Sequence, residues 1–155
     1  MTKSLIMYFS LSGATKTAAE TIRKYTHSDI IRLEPKTPYP TGYSQYSKVG
    51  MQQMQDKANV AIKTKIPDLH QYDYIFVGYP TWDGQVPRII NTMFAENDFS
   101  GSRVVPFSTS VSTSFEDTLG SLKAAVGDGV SIVGGFRYSG EGQARDYLNT
   151  YNLTD

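Results

Sequence analysis

The 155 residues carry 15 Lys+Arg against 15 Asp+Glu, a formal net charge of zero, which argues against the extended positive field that nucleic acids and anionic membranes require. With 39% hydrophobic and 19% charged residues, and Gly and Pro dispersed, the composition is that of a folded chain, and the length fits a single domain over residues 1–155. Cysteine is absent, which excludes disulfides, thiol redox chemistry, iron–sulfur clusters and thiolate zinc sites, so any redox role has to reside in a bound cofactor.

Residues 5–9, Leu-Ile-Met-Tyr-Phe, form an uninterrupted apolar run of strand length, as expected of a strand buried on both faces. The run is too short for a secretory leader or a membrane span, so the start at Met1-Thr2-Lys3-Ser4 leads us to expect a cytoplasmic protein. Beyond Gly13 the period changes: Ala18, Ile22 and Tyr25 share one helical face, which predicts a helix from Thr15. Residues 29–34 predict a second strand closed by Pro35, and 43–60 a polar helix weakened by Gly50, with Tyr46, Val49, Met54 and Ala58 on its inner side. The most convincing buried strand is 74–79, closed by Pro80. Pro87 suits the first position of a helix carrying Ile89, Ile90, Met93 and Phe94. Residues 103–107 predict a fourth strand, short or edge-like because Pro106 has no N–H to donate. A helix over 115–126, a fifth strand over 130–133 and a last helix over 141–151 complete the chain.

Five short strands alternating with five helices predict an α/β fold with a parallel sheet and helices on both faces. The expected strand order is 2-1-3-4-5, in which strands 1 and 3 are neighbours whose outgoing chains diverge and leave a crevice where ligands bind. Three loops meet at that edge. In the first, Ser10, Ser12 and Thr15 supply hydroxyls, Gly13 can adopt positive φ, and Ala14 onward opens a helix with free N–H groups, a combination suited to a terminal phosphate. The same hydroxyl residues also ordinarily cap helices. The spacing is neither that of a P-loop nor the dinucleotide pattern G-x-G-x-x-G. In the second loop the lone Trp82, between Pro80-Thr81 and Asp83-Gly84, can stack on a flat ring at the crevice mouth. The third, residues 108–114, is dense in hydroxyls and places backbone groups where the edge of a polar heterocycle would lie.

The run Tyr8-Phe9-Ser10-Leu11-Ser12-Gly13-Ala14-Thr15 resembles the phosphate loop of the flavodoxins, T/S-x-T/S-G-x-T, and Gly78-Tyr79-Pro80-Thr81-Trp82 resembles their tryptophan loop. Pro106-Phe107-Ser108-Thr109-Ser110 is similar to their third flavin-contacting segment, and the resemblance spans essentially the whole chain. It implies a flavodoxin-like three-layer sandwich with a five-stranded parallel sheet and non-covalent FMN. Ser10, Ser12, Gly13, Ala14, Thr15, Lys16 and Thr17 would surround the phosphate. Trp82 would cover one ring face, with Pro80, Thr81, Asp83 and Gly84 and the segment Thr109, Ser110, Val111 and Ser112 along the edges. It further implies a low-potential carrier passing single electrons between a donor reductase and an acceptor protein, acting as a monomer or weak dimer. A negative charge at Asp83 acts in the direction of lower potential.

This chain departs from that pattern in its neutrality, where the familiar flavodoxins are acidic, and in Val111-Ser112, where many have Gly-Gly. An NAD(P)H-dependent flavin or quinone reductase and a cofactor-free interaction module are the alternatives on the same fold. A phosphoacceptor domain would need acidic residues where the strand ends read Phe9-Ser10 and Tyr79-Pro80. His27 and His70 are isolated and not spaced for a metal, and Met51 and Met54 are expected to pack the second helix rather than touch a ring.

Overall fold

The computed structural model describes residues 3–154; Met1 and Thr2, part of the start from which a cytoplasmic protein was expected, lie outside the described residues, as does Asp155. In chain order the elements are β1 (Ser4–Tyr8), α1 (Ala14–Thr26), β2 (Asp29–Arg32), α2 (Tyr43–Asp56), a single 3-10 turn (Leu69–Gln71), β3 (Tyr74–Pro80), α3 (Arg88–Glu96), β4 (Arg103–Thr109), α4 (Phe115–Ala125), β5 (Ser131–Ile132), β6 (Phe136–Arg137) and α5 (Glu141–Thr150). The sheet is parallel, with order β2-β1-β3-β4-β5 and β6 also on β4.

Strand alternation sorts the core into two layers. Leu5, Met7 and Phe9 join Ile75, Val77, Tyr79 and Val104 on the face covered by α3 and α4, through Ile89, Ile90, Met93 and Leu122. Ile6, Tyr8, Phe76, Val105 and Phe107 form the other face, covered by Ala18, Ala19 and Ile22 of α1 and Ala144 and Leu148 of α5. A strand buried on both faces needs apolar residues at every position, which is why β1 and β3 read as continuous apolar runs.

The second helix ends at Asp56, where Lys57 turns left-handed at φ 48, and its only buried residue is Gly50. Val49 is exposed and Ala58 lies beyond the helix, so the inner side expected from Tyr46, Val49, Met54 and Ala58 is not a buried stripe. The fourth strand, expected to be short or edge-like, is an interior strand of seven residues. Its even positions bond toward β5 and β6: the carbonyls of Ser102, Val104 and Ser108 accept from Ser131, Val133 and Tyr138. Pro106 therefore turns its missing donor to that side. There the edge strand breaks: β6 pairs one residue further along than the register of β5 would place it, with Gly134 at φ 73 and Gly135 at φ 127 in the gap. β5 falls within the fifth strand expected over 130–133, and β6, which was not expected, follows beyond a bulge at the point where Pro106 offers a carbonyl but no N–H.

The ring of Phe107 lies over Gly78, its register partner on β3, so closely that a Cβ there would sit 2.2 Å from Cζ. Gly78→Ala forces this buried ring off its position, and we expect a loss of about 1–3 kcal/mol of stability, read from urea unfolding midpoints; an unchanged midpoint would contradict the packing described.

Candidate functional site

The chain leaving β1 enters α1 through Gly13, at φ 97 and ψ −9, which serves as the N-cap without any side-chain cap. The Ser10 hydroxyl accepts from the Gly13 amide at 3.2 Å and Ser12 from the Ala14 amide at 3.4 Å, so the hydroxyls shape the turn and do not cap the helix in the ordinary way. The Thr17 amide bonds back to the Gly13 carbonyl, while those of Thr15 and Lys16 find no acceptor among the described residues. Positive φ at Gly13 followed by free first-turn amides makes a concave, anion-accepting surface.

After β3, residues 82–85 close a two-residue hairpin: the Trp82 amide donates to the Gln85 carbonyl at 3.0 Å and the Gln85 amide to Trp82 at 2.9 Å. Asp83 and Gly84 occupy positive φ, 51 and 71, as a type I′ turn requires at both central residues. Gly84 therefore shapes the turn; it does not line the cleft. The indole is fixed by an aromatic cluster, with Phe9 and Tyr39 edge-on at 5.7 Å and Tyr46 at 6.5 Å. It also lies against Gly50 of α2, where a Cβ would come within 2.6 Å of Cε3.

The third loop is tied to the other two at Thr109. Its carbonyl accepts from the Thr81 amide at 3.0 Å, and its buried hydroxyl shares a 2.7 Å hydrogen bond with Thr15. Residue 110 onward is held from outside: Nη2 of Arg137 donates to the carbonyls of Ser110 and Val111 at 3.3 and 2.6 Å. Val111 is left 98% exposed at the lip of the cleft.

These loops enclose a cleft of about 770 Å³, a size within the range of small-molecule sites. Of the residues expected from sequence, Ser12, Ala14, Thr17, Pro80, Thr81, Trp82, Asp83, Thr109, Ser110, Val111 and Ser112 line it. Ser10, Gly13, Thr15, Lys16 and Gly84 do not; Ser10 and Thr15 are buried, their hydroxyls bonded to Gly13 and Thr109. The cleft also takes Tyr43, Tyr46, Ser47 and Met51 from α2, with Thr113 and Tyr138. Residues 43, 47 and 51 recur every four positions, with 46 alongside, and this helical stripe was the available signal. Met51, expected only to pack its helix, faces the cleft. Thr81 Oγ1 is buried with no partner among the described residues, a polar atom left for a ligand or water to satisfy. A hollow of about 380 Å³ at the opposite sheet end, among Tyr74, Arg103, Tyr147 and Tyr151, includes none of the expected residues. No cluster of metal-ligating side chains occurs among the described residues, nor any helix long and apolar enough to cross a membrane.

Because Trp82 is the sole tryptophan, its emission reports on this site directly. Gly50→Ala drives a methyl into the indole, and we expect a red-shifted emission and about 1–3 kcal/mol of lost stability; an unshifted spectrum would show that the contact is not maintained in solution. Burial also pushes the hydroxyls of Tyr39 and Tyr79 up to about 12, against the lowering by their bonds to Gln53 and Thr118. An unfolded tyrosine ionises near 10. The stabilisation from these two groups is therefore complete below pH 10 and lost as pH rises from 10 to 12, by about 1.4 kcal/mol per unit for each. Urea midpoints that fall across this window in the wild type, and less steeply in Tyr79→Phe, are the expected result.

Comparison with known proteins agrees with this architecture. The sequence model of the flavodoxin family matches residues 3–149. The chain is similar to a candidate flavoprotein of Bacteroides eggerthii, at 30% identity over 99% of this chain and 100% of the other, with a TM-score of 0.84. It is similar in fold to a flavoprotein of Lactobacillus acidophilus solved in complex with FMN, at 24% identity over 97% and 98% of the two chains and a TM-score of 0.81. A flavodoxin of Fusobacterium nucleatum bound to flavin mononucleotide shares the fold at 11% identity, over 98% of each chain, with a TM-score of 0.53. No curated protein matches. With the phosphate-type turn at Gly13, the indole held over the cleft and the sheet order all in place, the family match over residues 3–149 establishes that this chain belongs to the flavodoxin family.

Proposed function

We propose that the cleft binds FMN and that the protein is a cytoplasmic, low-potential electron carrier between redox partner proteins. The observation that carries this reading is the juxtaposition of the α1 N-terminus, which lines the cleft through Ser12, Ala14 and Thr17, with the indole of Trp82 across one cleft of about 770 Å³. The two ends of the cleft differ as the two ends of this ligand do. The α1 end offers amides, hydroxyls and the positive end of a helix dipole, which suit a phosphate monoester. The other end offers Trp82, Tyr46 and Tyr43 for a flat tricycle, and Thr81 Oγ1 as an uncommitted polar atom beside it. The residues present thus fit FMN.

In this reading Ser12 and Thr17 donate hydroxyls to the phosphate alongside the Thr15 and Lys16 amides, while Ser10 and Gly13 fix the turn. Thr15 acts indirectly, joining α1 to the third loop through Thr109. Trp82 excludes water from one ring face, and Asp83 and the segment 109–112 lie along the edge. The bound cofactor supplies one-electron chemistry; the chain's task is to bind it and set its potential. No side chain needs to act as acid, base or nucleophile.

The test is differential. Ser12→Ala/Thr17→Ala removes two hydroxyl donors at the phosphate end and, with Ser12, the turn's bond to the Ala14 amide, so FMN affinity is expected to fall at least tenfold while riboflavin affinity is unchanged, and Trp82→Ala to weaken both ligands. Equal losses for FMN and riboflavin in the double variant would overturn the phosphate assignment. Mixing the FMN-loaded protein with NADH separates the carrier from a reductase: slow or absent bleaching, with two resolved one-electron steps in a redox titration, supports the carrier, and rapid bleaching supports the enzyme.

A further inference from the structure

The bulge between β5 and β6 determines which face Arg137 occupies. Because side chains alternate along a strand, one inserted residue reverses every side chain beyond it. In the shifted register Arg137 pairs with Ser108, and it therefore shares the sheet face of Ser108, over which the loop 110–114 passes on its way to α4. From there it donates to the carbonyls of Ser110 and Val111, both of which line the cleft. Its neighbour Tyr138, whose hydroxyl lies 3.2 Å from that of Thr21 on α1, lines the cleft as well. No carboxylate pairs with Arg137 among the described residues, and its Nε is buried without an acceptor. Ser108 Oγ and Thr81 Oγ1, at the same end of the two adjacent strands, are buried and unpartnered too. The half-buried guanidinium is thus held by carbonyl dipoles of residues that line the cleft, with no carboxylate beside it among the described residues.

We propose that Arg137 is a positioning residue of the cofactor site: it clamps the lip of the cleft through the Ser110 and Val111 carbonyls, and its unneutralised charge favours the electron-rich forms of the ring lying against that lip. The inference rests on FMN as the occupant, and the charge opposes in sign the effect of Asp83, which also lines the cleft. Both bonds come from the one terminal nitrogen Nη2, which lies a bond further along its side chain than the Nζ of lysine, so Arg137→Lys keeps the charge but falls short of the two carbonyls. The two roles are therefore separable.

The experiment compares wild type, Arg137→Lys and Arg137→Gln by two readouts. The first is amide hydrogen exchange over residues 110–113 in the protein without cofactor, which requires no FMN. The second is the ratio of affinities for oxidised and reduced FMN, obtained from the midpoint potentials and the oxidised-state affinity. We expect exchange at least tenfold faster in both variants. Reduced FMN should bind at least fivefold more weakly relative to oxidised FMN in Arg137→Gln, with the wild-type ratio recovered in Arg137→Lys. Unchanged exchange in Arg137→Gln would overturn the clamp. An unchanged ratio, or an equal change in both variants, would overturn the charge role. A wild-type protein that takes up no FMN would overturn the parent reading and the charge role together, while the exchange data still decide the clamp. If Arg137→Gln does not fold, Arg137→Lys alone decides both: faster exchange with a kept ratio supports the proposal, and unchanged exchange or a lost ratio defeats it.

Discussion

Thr109 is the residue on which the geometry of the cleft depends. Its carbonyl continues the β3–β4 ladder to Thr81, and its hydroxyl meets that of Thr15 at 2.7 Å inside the protein. One residue thus joins the turn after β1, the hairpin after β3 and the loop after β4, and a buried hydroxyl pair cannot be broken without leaving two unsatisfied groups. The family's phosphate loop would by itself suggest that Thr15 faces a ligand. Here it faces inward, and the residues of this turn and helix that line the cleft are Ser12, Ala14 and Thr17.

The indole follows the same logic of support from behind. Trp82 is not held by the sheet; it is carried on a two-residue hairpin and pressed against the one residue of α2 that can tolerate it, Gly50. This explains an otherwise odd helix, polar on nearly every side and buried only at its glycine. Its function is to complete the aromatic wall with Tyr43, Tyr46 and Met51, and its packing against the tryptophan is what keeps it in place. Burial of Tyr39 beside the same indole pushes the pKa of its hydroxyl up to about 12, as burial does for Tyr79 in the core.

The edge of the sheet illustrates how one local constraint spreads. Pro106 cannot donate, so a bulge opposite it gives up only the bond to its carbonyl; the bulge shifts the register by one; and the shift brings Arg137 beside the loop that lines the cleft. A neutral chain with a guanidinium behind a loop of its cleft differs electrostatically from a uniformly acidic one.

Much of this was legible in residue order. Apolar runs at 5–9 and 74–79, of strand length and ended by Ser10 and Pro80, read as strands covered on both sides, the change from period 2 to 3.6 after Gly13 locates the first turn, and alternation of strands with helices points to a parallel sheet with its crevice between β1 and β3. The loops lining the cleft were legible too, because hydroxyls, a glycine and a lone tryptophan are conspicuous at strand ends. Tertiary contact decided the rest. Whether a hydroxyl faces a ligand or another hydroxyl depends on a partner 94 residues away, as with Thr15 and Thr109. The face that a weakly amphipathic helix presents depends on which neighbour it can approach, as Gly50 approaches Trp82. The side on which Arg137 emerges depends on a register that its own sequence does not encode, since pairing is set by the hydrogen bonds that the adjacent strand has to offer.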